Sequence, residues 1–363
     1  MSPKIATFVS AHGFGHAART CGVIEATRRA RPGTQFELFT TVPEWFFEQS
    51  LSEPTGYHQT STDLGLVQQS SLVEDLRETL RQLEAWIPFR DQQLNELASA
   101  VDGLGCDRVL CDISPLGLAV AQRCGLPALL VENFTWDWIY RGYTDTEPAF
   151  SGIADYLSEV FDFADVRIQA EPFCRRADGA LSCAPISRLP RRDRITVRRQ
   201  LRIPLEARIV MLTMGGVEWD YEGIDAQLER LEDFDPETWL IVPGSTPKPR
   251  RVGQAVLLPH RSDFFHPDLI QASDAVIGKL GYSTIAEVTH AGVPFGYVPR
   301  PSFPESPPLE AWVREHLPHR RISADAFVAW GWLDEIEPLL SQPRSTALRD
   351  EGGGTVAQHL LSL

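Results

Sequence analysis

At 363 residues the chain is longer than one compact core ordinarily holds, so two domains are the first expectation. Apolar residues at 43% and charged residues at 23% describe a globular protein and exclude a disordered or fibrous one, and no run reaches the roughly 18–20 apolar residues of a membrane span. Forty-nine acids against 34 bases leave a net charge of −15, which argues against nucleic acid as a partner of the surface as a whole.

The N-terminus turns polar too early for a secretory leader and reads as a buried first strand. Six cysteines (Cys21, Cys106, Cys111, Cys124, Cys174 and Cys183) form no C-x-x-C pair and no metal-ligand spacing with histidine. A cytoplasmic protein without a bound metal is expected, and the Asn133-Phe134-Thr135 sequon is then incidental. In chain order, short apolar runs at 5–10, 36–40, 108–112, 128–132 and 166–170 read as strands, followed by a second set at 208–213, 238–242, 255–258, 275–278 and 295–298. Helical stretches fall at 17–29, 116–124, 222–231 and 284–291, and 71–101 reads as a long helix or helix pair broken near Pro88. Gly125 and Gly292 stand just past two of these helices with Pro127 and Pro294 beyond, the punctuation of a left-handed C-cap.

Such alternation predicts α/β architecture with parallel sheets covered on both faces. The division expected is an N-terminal Rossmann-like domain over 1–185, an arginine-rich linker over 186–206, a C-terminal Rossmann-like domain over 207–345 and a helical tail over 346–363. Arg188, Arg191, Arg192, Arg194, Arg198, Arg199 and Arg202 crowd the linker. They read either as a solvated segment or as a positive rim for a phosphorylated ligand. Open parallel sheets bind ligands beyond the carboxyl ends of their strands, so the loops there carry the chemistry.

The first loop, Ala11-His12-Gly13-Phe14-Gly15-His16, lets the backbone turn sharply and leads into a helix expected to start near His16, whose free N–H groups suit an anion. It lacks the third glycine of the dinucleotide fingerprint. His12 and His16 are candidate bases, because histidine titrates near neutrality; packing within the loop is the alternative for each. A second loop, Gly278-Lys279-Leu280-Gly281-Tyr282-Ser283-Thr284, leads into a helix carrying Glu287. Gly281 and the first turn form an anion cradle, and Lys279, one of three lysines in the chain, adds a full charge. Glu287 reads two ways: as the last member of a capping box with Thr284, or as an acceptor for a ribose diol. The third loop, Thr213-Met214-Gly215-Gly216, offers close backbone approach to a phosphate or sugar. In the fourth, Arg261, Phe264 and Phe265 either wall a base pocket or belong to the core.

These residues carry a family resemblance. Two Rossmann-like halves with Gly281, Glu287 and Gly292-x-Pro294 in the second resemble GT-B glycosyltransferases, and more closely the lipid II-forming N-acetylglucosaminyltransferase branch. His12-Gly13-Phe14-Gly15-His16-x-x-Arg19, Asp63-Leu64-Gly65-Leu66-Val67, Asn133 through Tyr140 and Arg300-x-x-Phe303-x-Glu305-x-Pro307 are most similar to the N-terminal glycosyltransferase-like region of L-arabinokinase. The kinase module of that family has no counterpart here, so sugar phosphorylation is not implied. The resemblance implies a GT-B fold whose two sheets face across a cleft, with the acceptor on the N-terminal domain and a nucleoside diphosphate sugar, first of all a UDP-sugar, on the C-terminal one. It places the ribose on Glu287, the diphosphate on Gly281, Tyr282, Ser283 and Thr284, the base beside Arg261, Phe264 and Phe265, and the donor sugar against Arg300, Phe303 and Glu305. Tyr282 and Lys279 depart from the wider superfamily, where smaller residues and other side chains stand.

The expected reaction is transfer of a sugar to a hydroxyl acceptor with inversion, without a tightly bound cofactor or metal. Lys279, the glycines Gly13, Gly15, Gly215 and Gly216, and the helix starts bear the diphosphate charge. His16 deprotonates the acceptor, and Asp112 or Asp137 orients that histidine or replaces it. An epimerase or hydrolase of nucleotide sugars, or a non-catalytic nucleotide-sugar-binding protein, would use the same loops.

Overall fold

A computed structural model of the chain describes residues 2–70, 73–215, 224–225, 228–229, 237–346 and 352–363. Gly216 and most of the helix expected at 222–231 lie outside the described residues. Two units emerge: Met1–Ser187 together with Asp350–Leu363, and Arg188–Arg349.

The first unit opens with β1 (Lys4–Val9), α1 (Phe14–Ala30), β2 (Gln35–Thr40), α2 (Glu44–Ser50) and β3 (Gly56–Gln59). A small hairpin, β4 (Gln68–Ser70) and β5 (Val73–Glu74), precedes α3 (Leu76–Trp86) and α4 (Asp91–Gly103), which part at Pro88 as the proline requires. Then come β6 (Arg108–Asp112), α5 (Pro115–Cys124), β7 (Ala128–Glu132), α6 (Trp136–Arg141), α7 (Phe150–Phe161), β8 (Val166–Ala170) and β9 (Leu181–Cys183). The sheet runs β3-β2-β1-β6-β7-β8-β9, parallel throughout. Its central strands are buried almost end to end because helices cover both faces. The order reverses between β1 and β6, so the loops after these two strands flank a topological switch point.

The second unit repeats the plan with α8 (Arg194–Gln200), β10 (Arg208–Thr213), β11 (Thr238–Pro243), β12 (Arg250–Val252), β13 (Ala255–Leu258), α9 (His266–Ala272), β14 (Ala275–Lys279), α10 (Tyr282–Ala291), β15 (Phe295–Val298), α11 (Ser306–His316), β16 (His319–Arg321), α12 (Ala324–Val328) and α13 (Ile336–Leu340). Its sheet runs β12-β13-β11-β10-β14-β15-β16, with β12 alone antiparallel to its neighbour. The switch point lies between β10 and β14. There Thr213 pairs with Gly278, and a Cβ on that glycine would stand 2.2 Å from the Thr213 carbonyl oxygen. Gly125 and Gly292 close α5 and α10 in the left-handed region at φ 65°. The chain ends in α14 (Gly352–Ser362), which packs on α1 in the first unit.

The arginine-rich segment belongs to the second unit and is anchored to it. Arg198 is buried and donates to the carbonyls of Ala272, Leu205 and Ala207 at 3.0, 2.7 and 2.7 Å, while Arg194 and Arg198 both grip Asp274. Among the described residues no helix is long and apolar enough to cross a membrane.

Candidate active site

At the first switch point the chain turns through Gly13, at φ 83°, and α1 begins at Phe14, two residues before the expected start. His16 therefore sits inside the first turn, buried, over the carboxyl end of β6. Its Nδ1 lies 3.0 Å from Oδ1 of Asp112, the last residue of β6. One turn on, Arg19 donates from Nε (2.8 Å) and Nη2 (2.5 Å) to the same carboxylate, and the Thr20 hydroxyl adds a fourth bond at 3.1 Å. Arg19 also donates to the Asn133 side-chain oxygen, and the Asn133 amide spans to the carbonyls of Ala170 and Pro172. Asp112 is fully buried, which pushes its carboxyl up, but the Arg19 charge and the bonds from His16 and Arg19 outweigh burial and hold it below the usual range. An ionised carboxylate only accepts, so Nδ1 of His16 carries the proton and Nε2 is left with a free lone pair in the neutral ring.

Asp137 is buried in the first turn of α6 and is not hydrogen-bonded to His16, so Asp112 is the carboxylate that orients the imidazole. His12 is built into a wall instead. Its Nε2 meets the Gln68 amide at 3.2 Å, and its ring stands edge-on to Trp136 at 5.4 Å. Gly65 (φ 59°) passes so close that a Cβ there would lie 2.5 Å from His12 Nδ1. Trp136 and Tyr140 are core residues, stacked on each other and tied to the passing strap through Asp63 and the Gly65 carbonyl. Asp63, which sequence reasoning gave no chemical role, accepts the Trp136 indole N–H at 3.0 Å; burial raises its carboxyl above the ordinary range.

At the second switch point α10 starts at Tyr282 with Gly281 as N-cap and no side-chain cap, so the N–H groups of Tyr282, Ser283 and Thr284 open the helix without an acidic partner in the first turn. A Cβ on Gly281 would meet nothing within 4 Å, which leaves the cradle open. Gly215, at φ 73°, turns just past β10, the strand next to β14, and donates its N–H to the Thr213 hydroxyl at 3.2 Å. With the helix beginning at Tyr282, Glu287 lies past the first turn, and the capping-box expectation fails. Its carboxylate instead takes Arg188 on Oε1 (Nη2 2.9 Å, Nε 3.2 Å) and His266 Nδ1 on Oε2 (2.8 Å). Burial raises this carboxyl, yet the charges of Arg188 and His266 and their hydrogen bonds win and lower it to about 2.

Lys279 ends β14, where burial and then the neighbouring Arg300 lower its ammonium to about 8, against the opposing pull of Glu305. Arg300 is buried, ion-paired with Glu305, and lies with its guanidinium 3.7 Å from the Phe303 ring centroid; its Nε has no partner. The structure thus gathers Lys279, Arg300, Phe303 and Glu305 at the carboxyl ends of β14 and β15. Of the residues expected at a base pocket, Arg261 is exposed and Phe264 half-buried. Phe265 is buried beneath two guanidinium groups, Arg188 at 5.1 Å and Arg191 at 4.4 Å from its centroid, so its ring belongs to the arginine segment. Among the described residues no cluster of three or more His, Cys, Asp or Glu side chains is placed to hold a metal ion.

No family model matches the chain. It is 26% identical over 365 residues to the L-arabinokinase of Arabidopsis thaliana, a match spanning 98% of this chain but 34% of that protein. An uncharacterised glycosyltransferase of Methanopyrus kandleri is 26% identical over 214 residues, 55% of this chain and 59% of its own length. The chain thus spans about a third of the first relative, and its match to the second covers about three-fifths of that protein. Among solved structures, the kitacinnamycin glycosyltransferase superposes with a TM-score of 0.65 at 13% identity, covering 100% of this chain and 94% of the other. The chain has the GT-B fold.

Proposed function

We propose that this chain is a nucleotide-sugar-dependent glycosyltransferase that moves a hexosyl or pentosyl group from a nucleoside diphosphate sugar, first of all a UDP-sugar, to a hydroxyl acceptor with inversion. The observation that carries the reading is the buried His16–Asp112 pair at the first switch point of a GT-B chain. The acceptor hydroxyl gives its proton to Nε2 of His16 while its oxygen attacks the anomeric carbon. The bond to the diphosphate breaks, and its electron pair leaves with the phosphate oxygen. Asp112 holds the ring in the required tautomer and stabilises the imidazolium as it forms. The charge on the leaving group falls on the start of α10, on Gly215 and Gly216 and on Lys279, with Gly13 and Gly15 of the first loop as further backbone donors. A single helix terminus contributes only about 0.3–2 kcal/mol, so several such groups must act together. Glu287 takes the ribose, Arg261, Phe264 and Phe265 border the base, and Arg300, Phe303 and Glu305 face the donor sugar. A cytoplasmic setting accords with six free thiols.

The reading is tested by thermal shift with UDP, GDP, ADP, dTDP and their sugars, since a ligand at 100 times its Kd stabilises by about 2.7 kcal/mol. Failure of every nucleotide to raise Tm overturns it. With a donor and acceptor in hand, His16→Ala should lower kcat about 10²–10⁴-fold and leave donor affinity unchanged. Near-normal turnover would remove His16 as the base. Consumption of donor without acceptor would mark an epimerase or hydrolase, and binding without turnover a sensor.

A further inference from the structure

Glu287 is reached from both sides by residues that no capping or ribose pattern contains. Arg188 approaches from the segment entering the second unit and places two nitrogens on Oε1. His266, the first residue of α9, places Nδ1 on Oε2, and its other nitrogen lies 3.4 Å from the Thr213 hydroxyl. Because the ionised carboxylate only accepts, Nδ1 of His266 donates to it, and the ring's other nitrogen pairs with the Thr213 hydroxyl. The Thr213 oxygen in turn receives the Gly215 N–H. A continuous chain of hydrogen bonds therefore runs from the glycine loop after β10, through Thr213 and His266, to Glu287 and on to Arg188.

The backbone that delivers Arg188 is fixed as well. Asp268 accepts the N–H groups of Arg191 and Arg192 at 2.6 and 3.1 Å, and the guanidinium groups of Arg188 and Arg191 lie over Phe265. Three donor nitrogens on the Glu287 carboxylate occupy three of its roughly four lone-pair directions, leaving the last on Oε2, the oxygen His266 orients. Full burial of this carboxylate is tolerable only while it is paired.

We propose that His266 and Arg188 are positioning residues of the nucleotide site: they fix the Glu287 carboxylate so that its remaining lone pair selects ribonucleotides over 2′-deoxyribonucleotides. The proposal rests on the donor-site reading of the second unit. It makes the glycine loop and the ribose contact one connected device, with His266 as the joint.

Calorimetry with UDP, GDP and ADP and their 2′-deoxy counterparts tests it. The wild-type chain should prefer the ribo form by about tenfold or more, the loss expected when a charged hydrogen-bond acceptor is left without its donor. His266→Ala should bring that ratio close to one. His266→Asn, whose amide nitrogen stands near the Nδ1 position, should restore most of it. Arg188→Met should reduce the ratio in the same direction, and Tm recorded on each variant separates misfolding from loss of selectivity. Unchanged discrimination in a folded His266→Ala variant overturns the inference alone. Absence of any nucleotide binding by the wild-type chain overturns the donor-site reading and this inference with it.

Discussion

Lys279 closes β14 with an ammonium group that burial and Arg300 lower to about 8. Below that pH it is cationic and favours a diphosphate; as pH rises through 8 the charge is lost, and an anion held there is released. Affinity for UDP measured from pH 6.5 to 9.5 should therefore fall on the alkaline side with a limb centred near 8 or above, since a bound anion favours the charged form. Lys279→Arg should remove that limb, and persistence of the limb in the arginine variant would free Lys279 from this role. Glu287 works at the other end of the scale. Its folded carboxyl is lowered to about 2, so its stabilising contribution is complete above about pH 4.5 and is lost as pH falls toward 2. The linkage is on the order of 3 kcal/mol. Glu287→Gln should flatten the acid limb of the stability curve and lower stability at neutral pH by about 3–5 kcal/mol, because it leaves Arg188 uncompensated; urea unfolding at pH 7 and pH 3 measures both. His16 and Lys279 were legible as candidates because each adjoins a glycine turn at a strand end, and Glu287 through its spacing from Thr284 and the family resemblance. The pairing of Arg188 and His266 with Glu287 was not, because nothing local marks a partner 99 or 21 residues away in sequence.

The central strands of both sheets were legible as apolar runs because helices bury both of their faces. The edge strands β3, β9, β12 and β16 escaped the same reading. Each is three or four residues long with much of its length open to solvent, so it shows no continuous apolar run. The capping box failed for a related reason: the pattern Thr284-x-x-Glu287 exists, but the helix starts earlier, at the open cradle after Gly281, and tertiary partners take the carboxylate. The terminal helix shows where close packing dictates sequence. A Cβ on Gly352 would lie 2.0 Å from the Ala184 carbonyl oxygen and 2.8 Å from Cys183 Sγ, whereas one on Gly354 would meet nothing within 4 Å. Gly352→Ala should cost about 1–3 kcal/mol through overpacking. Gly354→Ala should be neutral or stabilise by up to about 1 kcal/mol through helix propensity. Equal unfolding midpoints for the two variants would show that α14 does not dock on the first unit as described.

Each unit carries one switch point, and the proposed chemistry divides between them: a base held by a buried carboxylate in the first, anion donors and a ribose acceptor in the second. The arginine segment, expected as a linker or a positive rim, is built into the second unit, where Arg188 and Arg198 use their charges on Glu287 and Asp274. If nucleotide recognition resides in that unit, UDP should slow amide exchange at 213–215, 260–268 and 278–287 more than at 12–19, where only the Gly13 and Gly15 N–H groups are proposed to reach the diphosphate. A molecule of net charge −15 must then neutralise a diphosphate through local groups. Lys279, the uncapped start of α10 and Gly215 supply one full positive charge and several aligned N–H groups. On that account, turnover and the exchange protection by UDP should both survive excess EDTA, and added Mg²⁺ should change kcat by less than about twofold. Loss of protection at 278–287 in EDTA, restored by Mg²⁺, would show that these groups do not suffice and that a cation completes the diphosphate site.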